Sequence, residues 1–217
     1  MSPQAVVEVA TLPGTPKDFA FSEEEMIEMA KKLFHVDESG VKNSDALAAD
    51  FRFEFPIVSL GKKEFIKAVS SFKIKDAFPD MEAHPYHWRV DPYEPHRVWF
   101  TCRTTGTHTG ALKFFKSQYR PTGKLVLGAP ECMSYTFNAA GKCTSYTGGY
   151  VMDRRVGNTK GLGAMFGILA AIGGPVLAPG SFTFLSLVAA NKVQKLFGKV
   201  FNMLTFGRFK GKVEKDE

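Results

Sequence analysis

The sequence predicts an α+β fold: a curved antiparallel sheet packed on three N-terminal helices, followed by a hydrophobic and amphipathic helical extension. Two observations carry the fold class. Apolar residues recur at helical spacing in most of the chain before Pro79, and the period changes to two after it. Helices that precede a run of strands, rather than alternating with them, define α+β and not a parallel α/β sheet. A third observation carries the extension: the stretch from Arg154 to Val213 holds nine basic residues and no Asp or Glu. At 217 residues, 44% hydrophobic and 23% charged, the chain is sized for one domain with an appendage, and wholesale disorder is excluded. Cys102, Cys132 and Cys143 are odd in number and widely spaced, which excludes a disulfide-stapled scaffold and a zinc knuckle.

Residues 1–20 read as an extended arm, with Pro13, Gly14 and Pro16 set among threonines. The arm has no basic stretch followed by an apolar core, so no secretory signal is expected and an intracellular location is. Ser22-Glu23-Glu24-Glu25 is a capping box, and Met26, Met29, Ala30, Leu33 and Phe34 form the stripe of a half-buried helix. A second short helix is expected from Ser44 to about Asp50, then a short strand over Arg52–Phe55 that stops at Pro56. Lys62 to Phe72 returns to helical spacing. Strands are expected over His84–Asp91, His96–Gly110, Lys113–Tyr119, Glu131–Phe137 and Lys142–Asp153, with Asn138–Gly141 as a hairpin connection. The organisation is therefore an arm (1–20), an α+β domain (21–153) and a C-terminal third (154–217).

The segment Asp45-Ala-Leu-Ala-Ala-Asp50-Phe51-Arg-Phe53-Glu-Phe55-Pro56, continued by Gly61-Lys62-Lys63-Glu64-Phe65-Ile66, resembles the nuclear-transport-factor-2-like (NTF2-like) superfamily, including its SnoaL-like polyketide-cyclase branch. The strand Arg103–Gly110 and the hairpin Tyr135–Lys142 are similar too. The resemblance spans roughly Phe21 to Asp153 and implies a cone whose interior is lined by alternate residues of each strand. It leaves open a homodimer through the outer face of the sheet. Because one such fold serves dehydratases, isomerases, cyclases and pure binding proteins, the chemistry has to come from the site.

Placing the apolar set of each strand inward brings Phe100 and His108 into the cone from one strand, and Glu131, Met133 and Tyr135 from another. His84 and Trp88 form a third inward row, and Phe53 and Phe55 close the wall. A glycine bulge at Gly106 would reverse the phase at His108. In such a cavity, built for a small apolar molecule, His108 with Asp50 or Glu131 would do cofactor-free acid–base work, and Tyr135 would donate to an enolate. Each residue has a plainer reading beside this one. His108 would be a hydrogen-bonded core histidine, Asp50 a helix-end carboxylate, and Glu131 a solvent-facing strand start. His84 and His87 point to opposite faces of a strand, and no metal or cofactor motif emerges.

From Gly161 to Ala190 no residue is charged, and Pro175 and Pro179 divide this stretch into pieces shorter than a membrane span needs. Beyond it, Leu196, Phe197, Val200 and Phe201 fall on one helical stripe, with Lys192, Lys195 and Lys199 on the remainder. A basic amphipathic stretch beside an uncharged one suits an anionic membrane surface or a membrane protein complex. Packing on the chain's own domain is the competing reading, and nucleic acid fits an aliphatic, Phe-rich face poorly. The functional expectation is a protein that binds a small apolar ligand, docked through its C-terminal third. Its alternative is a non-catalytic accessory subunit of an organelle membrane complex. The phrasing of the chain is similar to proteins of photosynthetic eukaryotes, which implies a plastid.

Overall fold

The computed structural model describes residues 19–56, 58–114 and 117–174, and all of these belong to one compact unit. Helix α1 (Glu23–His35) starts at the expected box: the Ser22 hydroxyl accepts the Glu25 N–H at 3.2 Å, and the Glu25 carboxylate accepts the Ser22 N–H at 2.8 Å. Three acidic residues stand in its first turn, where the helix dipole favours them, and Met26, Ala30 and Leu33 are buried. Ser22→Ala is expected to cost about 1 kcal/mol of stability, read as a lowered urea midpoint at unchanged slope.

Where a second helix is expected there is a single 3-10 turn, Ser44–Ala46, nucleated by the Asn43 side chain accepting the Asp45 N–H. The chain then extends as strand β1 (Leu47–Phe55). Helix propensity in Leu47-Ala48-Ala49 yields to sheet pairing that buries Leu47, Ala48 and Phe51. Strand β2 (Val58–Gly61) folds back on β1, and helices α2 (Lys62–Phe72) and α3 (Ile74–Ala77) follow. The remaining strands are β3 (Tyr86–Val90), β4 (Arg97–Cys102), β5 (Thr105–Thr107), β6 (Leu112–Phe114), β7 (Ser117–Tyr119), β8 (Leu125–Leu127), β9 (Glu131–Phe137) and β10 (Cys143–Val151). Helix α4 (Ala164–Ile172) ends the described chain.

The main sheet runs β2-β1-β10-β9-β4-β3, antiparallel except for β1 on β10. Register shifts interrupt the β1–β10, β10–β9 and β3–β4 pairings, and such irregularities bend and twist a sheet. The long strand expected over His96–Gly110 is broken. It leaves the main sheet after Cys102, and β5 pairs instead with β8, a strand the periodicity does not show. Likewise β6 and β7 form a hairpin, not one strand.

Two apolar cores result. One fills the cone between α1, α2 and the main sheet, around Phe51, Phe65, Phe100, Met133, Tyr135 and Tyr146. The other joins α3, β6, β8 and α4 through Phe78, Leu112, Val126, Ile168, Leu169 and Ile172. The described part of the uncharged stretch is thus helical and packs in the second core. Leu196, Phe197, Val200, Phe201, Lys192, Lys195 and Lys199 lie outside the described residues.

Candidate functional site

Aromatic rings pack on one another in the cone. Phe100 is fully buried and stacks on Trp88 with centroids 4.2 Å apart and planes 16° off parallel. Tyr135, also fully buried, packs against Phe100 at 5.2 Å and Tyr146 at 4.8 Å. Phe53 stacks on Phe55 at 4.2 Å and on Phe65 at 4.8 Å, and Met133 takes the Tyr146 hydroxyl on its Sδ at 3.7 Å. The Tyr135 hydroxyl is engaged by Ser39 Oγ at 2.6 Å. Ser39 lies in a 3-10 turn where Glu38, Ser39 and Gly40 all have positive φ. Burial holds the phenols of Tyr135 and Tyr146 far above their ordinary range, so both remain neutral hydrogen-bonding groups.

The expected acid–base residues do not meet. Asp50 is exposed on β1. His84 is exposed as well, at φ 45, with Nε2 2.8 Å from the Thr105 hydroxyl. His108 follows β5 and belongs with the second core, not the cone. It is fully buried and stacked on Phe78 at 4.9 Å, with Nδ1 3.1 Å from Thr122 Oγ1 and no partner on Nε2. Burial pushes its pKa down, favouring the neutral imidazole. The inward row expected from Val98 to His108 therefore holds through Cys102, where the chain changes sheets, and fails beyond it. Cys102 and Cys143 are pushed up to about 12 by burial, so neither supplies a thiolate at neutral pH.

Glu131 faces inward at the other end of β9. One oxygen, Oε2, accepts the Ala164 N–H of α4 at 2.9 Å, and the other has no partner. Burial pushes this carboxyl up, opposed by backbone N–H groups of Ala164 and Gly149. With Thr104, Val126, Thr159 and Ile168 it lines a cavity of about 40 Å³. Gly163 permits this close approach, since a Cβ there would stand 2.6 Å from the Gly149 carbonyl oxygen and 3.0 Å from Glu131 Cδ. No local pattern in the chain points to Ser39 as the partner of Tyr135, or to Thr159 in the cavity. Both depend on long-range placement. Among the described residues no group of three or more His, Cys, Asp or Glu is arranged to hold a metal ion, and no helix is long and apolar enough to cross a membrane.

An α+β cone of this topology is the NTF2-like class of fold. A SnoaL-like protein from Jannaschia sp. CCS1, assigned as a polyketide cyclase, superimposes with a TM-score of 0.50 at 18% identity, covering 72% of this chain and 98% of that one. AclR from Streptomyces galilaeus, assigned as a hydroxylase, is similar at a TM-score of 0.48 and 17% identity, over 70% and 98% of the two chains. No protein-family profile and no curated protein sequence matches the chain. The chain thus has the NTF2-like fold, and identities this low speak to the fold alone.

Proposed function

We propose that the chain is a non-catalytic accessory module, an NTF2-like cone packed shut on its own aromatic side chains and docked by its C-terminal third to an anionic membrane surface or membrane protein complex. The observation that carries the reading is the ring packing of the cone. Trp88, Phe100, Tyr135 and Tyr146 pack ring against ring within the cone, whereas a site for a ligand of ordinary size needs about 300 Å³ or more of free space. Without a shared cavity, His108, Asp50 and Glu131 cannot act on one substrate. The docking half rests on sequence: Lys192, Lys195 and Lys199 beside Leu196, Phe197, Val200 and Phe201, in a stretch without acid residues. An organelle membrane, the plastid's included, is the setting this reading suits.

Flotation of the full chain with anionic vesicles tests it. The wild type is expected to float at low salt and to fall away at high salt, where surface charge is screened. The triple variant Lys192→Glu, Lys195→Glu, Lys199→Glu is expected to lose at least about 3 kcal/mol, roughly a hundred-fold in partitioning, at about 1 kcal/mol per cation removed. A wild type that never floats, or a variant that floats equally well, overturns the docking.

A second reading, a binder or cofactor-free cyclase of a small apolar molecule, is favoured by one observation: the buried Glu131 carboxyl keeps an unpartnered oxygen at a cavity. The likeness to a protein assigned as a SnoaL-like polyketide cyclase is consistent with it. That reading requires the cone to open, and a shift in unfolding midpoint with planar aromatic ketones would support it.

A further inference from the structure

Helix α4 has no charged residue and no side-chain cap of its own. Each end nevertheless meets a polar side chain that satisfies one of its free backbone groups. Glu131, the first residue of β9, takes the Ala164 N–H at the N-terminus. Lys124, just before β8, donates to the Ile172 carbonyl at the C-terminus at 3.2 Å. The lysine is an ordinary surface-side partner. The glutamate is not, because it is 7% exposed and its Oε1 has no partner. Thr159 Oγ1, in a residue 4% exposed, is also unpartnered and lines the same cavity of about 40 Å³. A water needs about 10–15 Å³ of such space and two or more polar partners, so the cavity has room for water between the two groups.

No cation compensates the carboxyl: among the described residues no ion pair includes Glu131. The titratable groups that sense it are Cys102 on β4, Cys132 beside it on β9 and Tyr146 on β10. All three are held neutral, and α4 adds none. Ala164 stands at φ 48, a conformation an L-residue leaves unless it is held.

We propose that Glu131 is a proton-operated latch for α4: the neutral carboxyl accepts the Ala164 N–H through one oxygen and reaches Thr159 through cavity water with the other, whereas the ionised carboxylate, buried without a cation and with only backbone N–H groups to offset its lost hydration, loosens the helix. The inference is independent of whether the C-terminal third meets lipid. The sign follows from linkage. Burial raises the Glu131 pKa in the folded chain, so the folded state holds the proton more tightly than the unfolded one. Stability is then fullest at low pH and falls as pH rises from the ordinary carboxylate range to the folded value.

The test compares wild type with Glu131→Gln, a neutral isostere, in the full chain from about pH 5 to about pH 9. Unfolding midpoints and amide exchange of Ala164–Ile172, corrected for intrinsic rates, are both read. Wild-type α4 is expected to lose protection as pH rises, about tenfold per unit by which the carboxyl exceeds its ordinary value. In Glu131→Gln the corrected protection should stay flat and match that of acidic wild type. Parallel pH profiles in the two proteins overturn the latch. So does failure of Glu131→Gln to fold, because a neutral group at this position is what the latch needs in order to close.

Discussion

Phe100→Ala is expected to destabilise the chain by about 3–5 kcal/mol, the range for truncating a fully buried aromatic ring, and to lower the melting temperature by roughly 6–20 °C. The ring has no exposed surface. It stacks on Trp88 at 4.2 Å and also meets Phe34 at 5.4 Å and Tyr135 at 5.2 Å, so its removal takes contacts from three aromatic neighbours at once. Relaxation will be partial, because those neighbours are themselves fixed: Tyr135 by Ser39 through its hydroxyl, Trp88 within β3. The residue of the defect is an apolar void, which stays dry and accepts benzene-sized molecules. Benzene or indole should therefore recover part of the lost midpoint in Phe100→Ala and leave wild type unmoved. A midpoint shift in wild type with the same probes would mean that the cone already has ligand space, and the accessory-module reading would fail.

Much of this cone is legible in the chain. The capping box at Ser22 and Glu25 forms as written, and α2 occupies Lys62–Phe72 as its spacing predicts. The expected inward sets Val98–Phe100–Cys102 and Glu131–Met133–Tyr135–Phe137 are buried, but so are Thr101, Ser134 and Thr136 on the other face, so burial alternates less than the sequence suggests. These are local signals, each set by a period or a cap within one element. What escaped the sequence depends on partners far along the chain. Leu47-Ala48-Ala49 has helical character alone, and becomes strand where β10, almost a hundred residues later, pairs with Leu47 and, past a register shift, with Arg52–Glu54. After Cys102 the backbone changes partners. Arg103 N–H goes to the Ala83 carbonyl and Gly128 N–H to the Thr104 carbonyl, which carries His108 out of the cone.

The same argument separates fold from chemistry here. Glu131 and Tyr135 are both buried, but what each does there is decided by a non-local partner. Tyr135 meets Ser39 in a strained turn, and Glu131 meets the first amide of α4. A phenol and a carboxyl that look like a donor and a base on paper are here bonded to a serine hydroxyl and to the first amide of a helix. Polar residues inside an apolar fold must find partners. When the fold supplies them from its own backbone and side chains, inward placement alone does not make a catalytic group.

Gly110→Ala is the other large effect expected, and it probes the second core, where His108 sits. Residues 109 and 110 cross the end of α3 closely enough that both N–H groups donate to the Ala77 carbonyl, at 3.1 and 2.9 Å. A Cβ on Gly110 would lie 1.9 Å from the Asp76 carbonyl oxygen and 3.1 Å from Ala77 Cα. Those obstacles are backbone, so no side-chain rotation relieves them. The crossing must separate, at a cost of about 1–3 kcal/mol for overpacking and about 1 kcal/mol for each hydrogen bond lost, or roughly 3–5 kcal/mol in all. Phe78, immediately after α3, is stacked on His108, so the stack should loosen as well. His108 ring protons should then move toward free-histidine shifts, and its pKa should climb back toward the ordinary value as burial is relieved. Gly123→Ala is the control. Gly123 has φ +65 but nothing within 4 Å of a Cβ, so it should cost only about 1 kcal/mol for the left-handed backbone. If urea unfolding finds Gly110→Ala no more damaging than Gly123→Ala, the segment between β5 and β6 does not rest on α3 at this distance, and His108 is not held by the crossing.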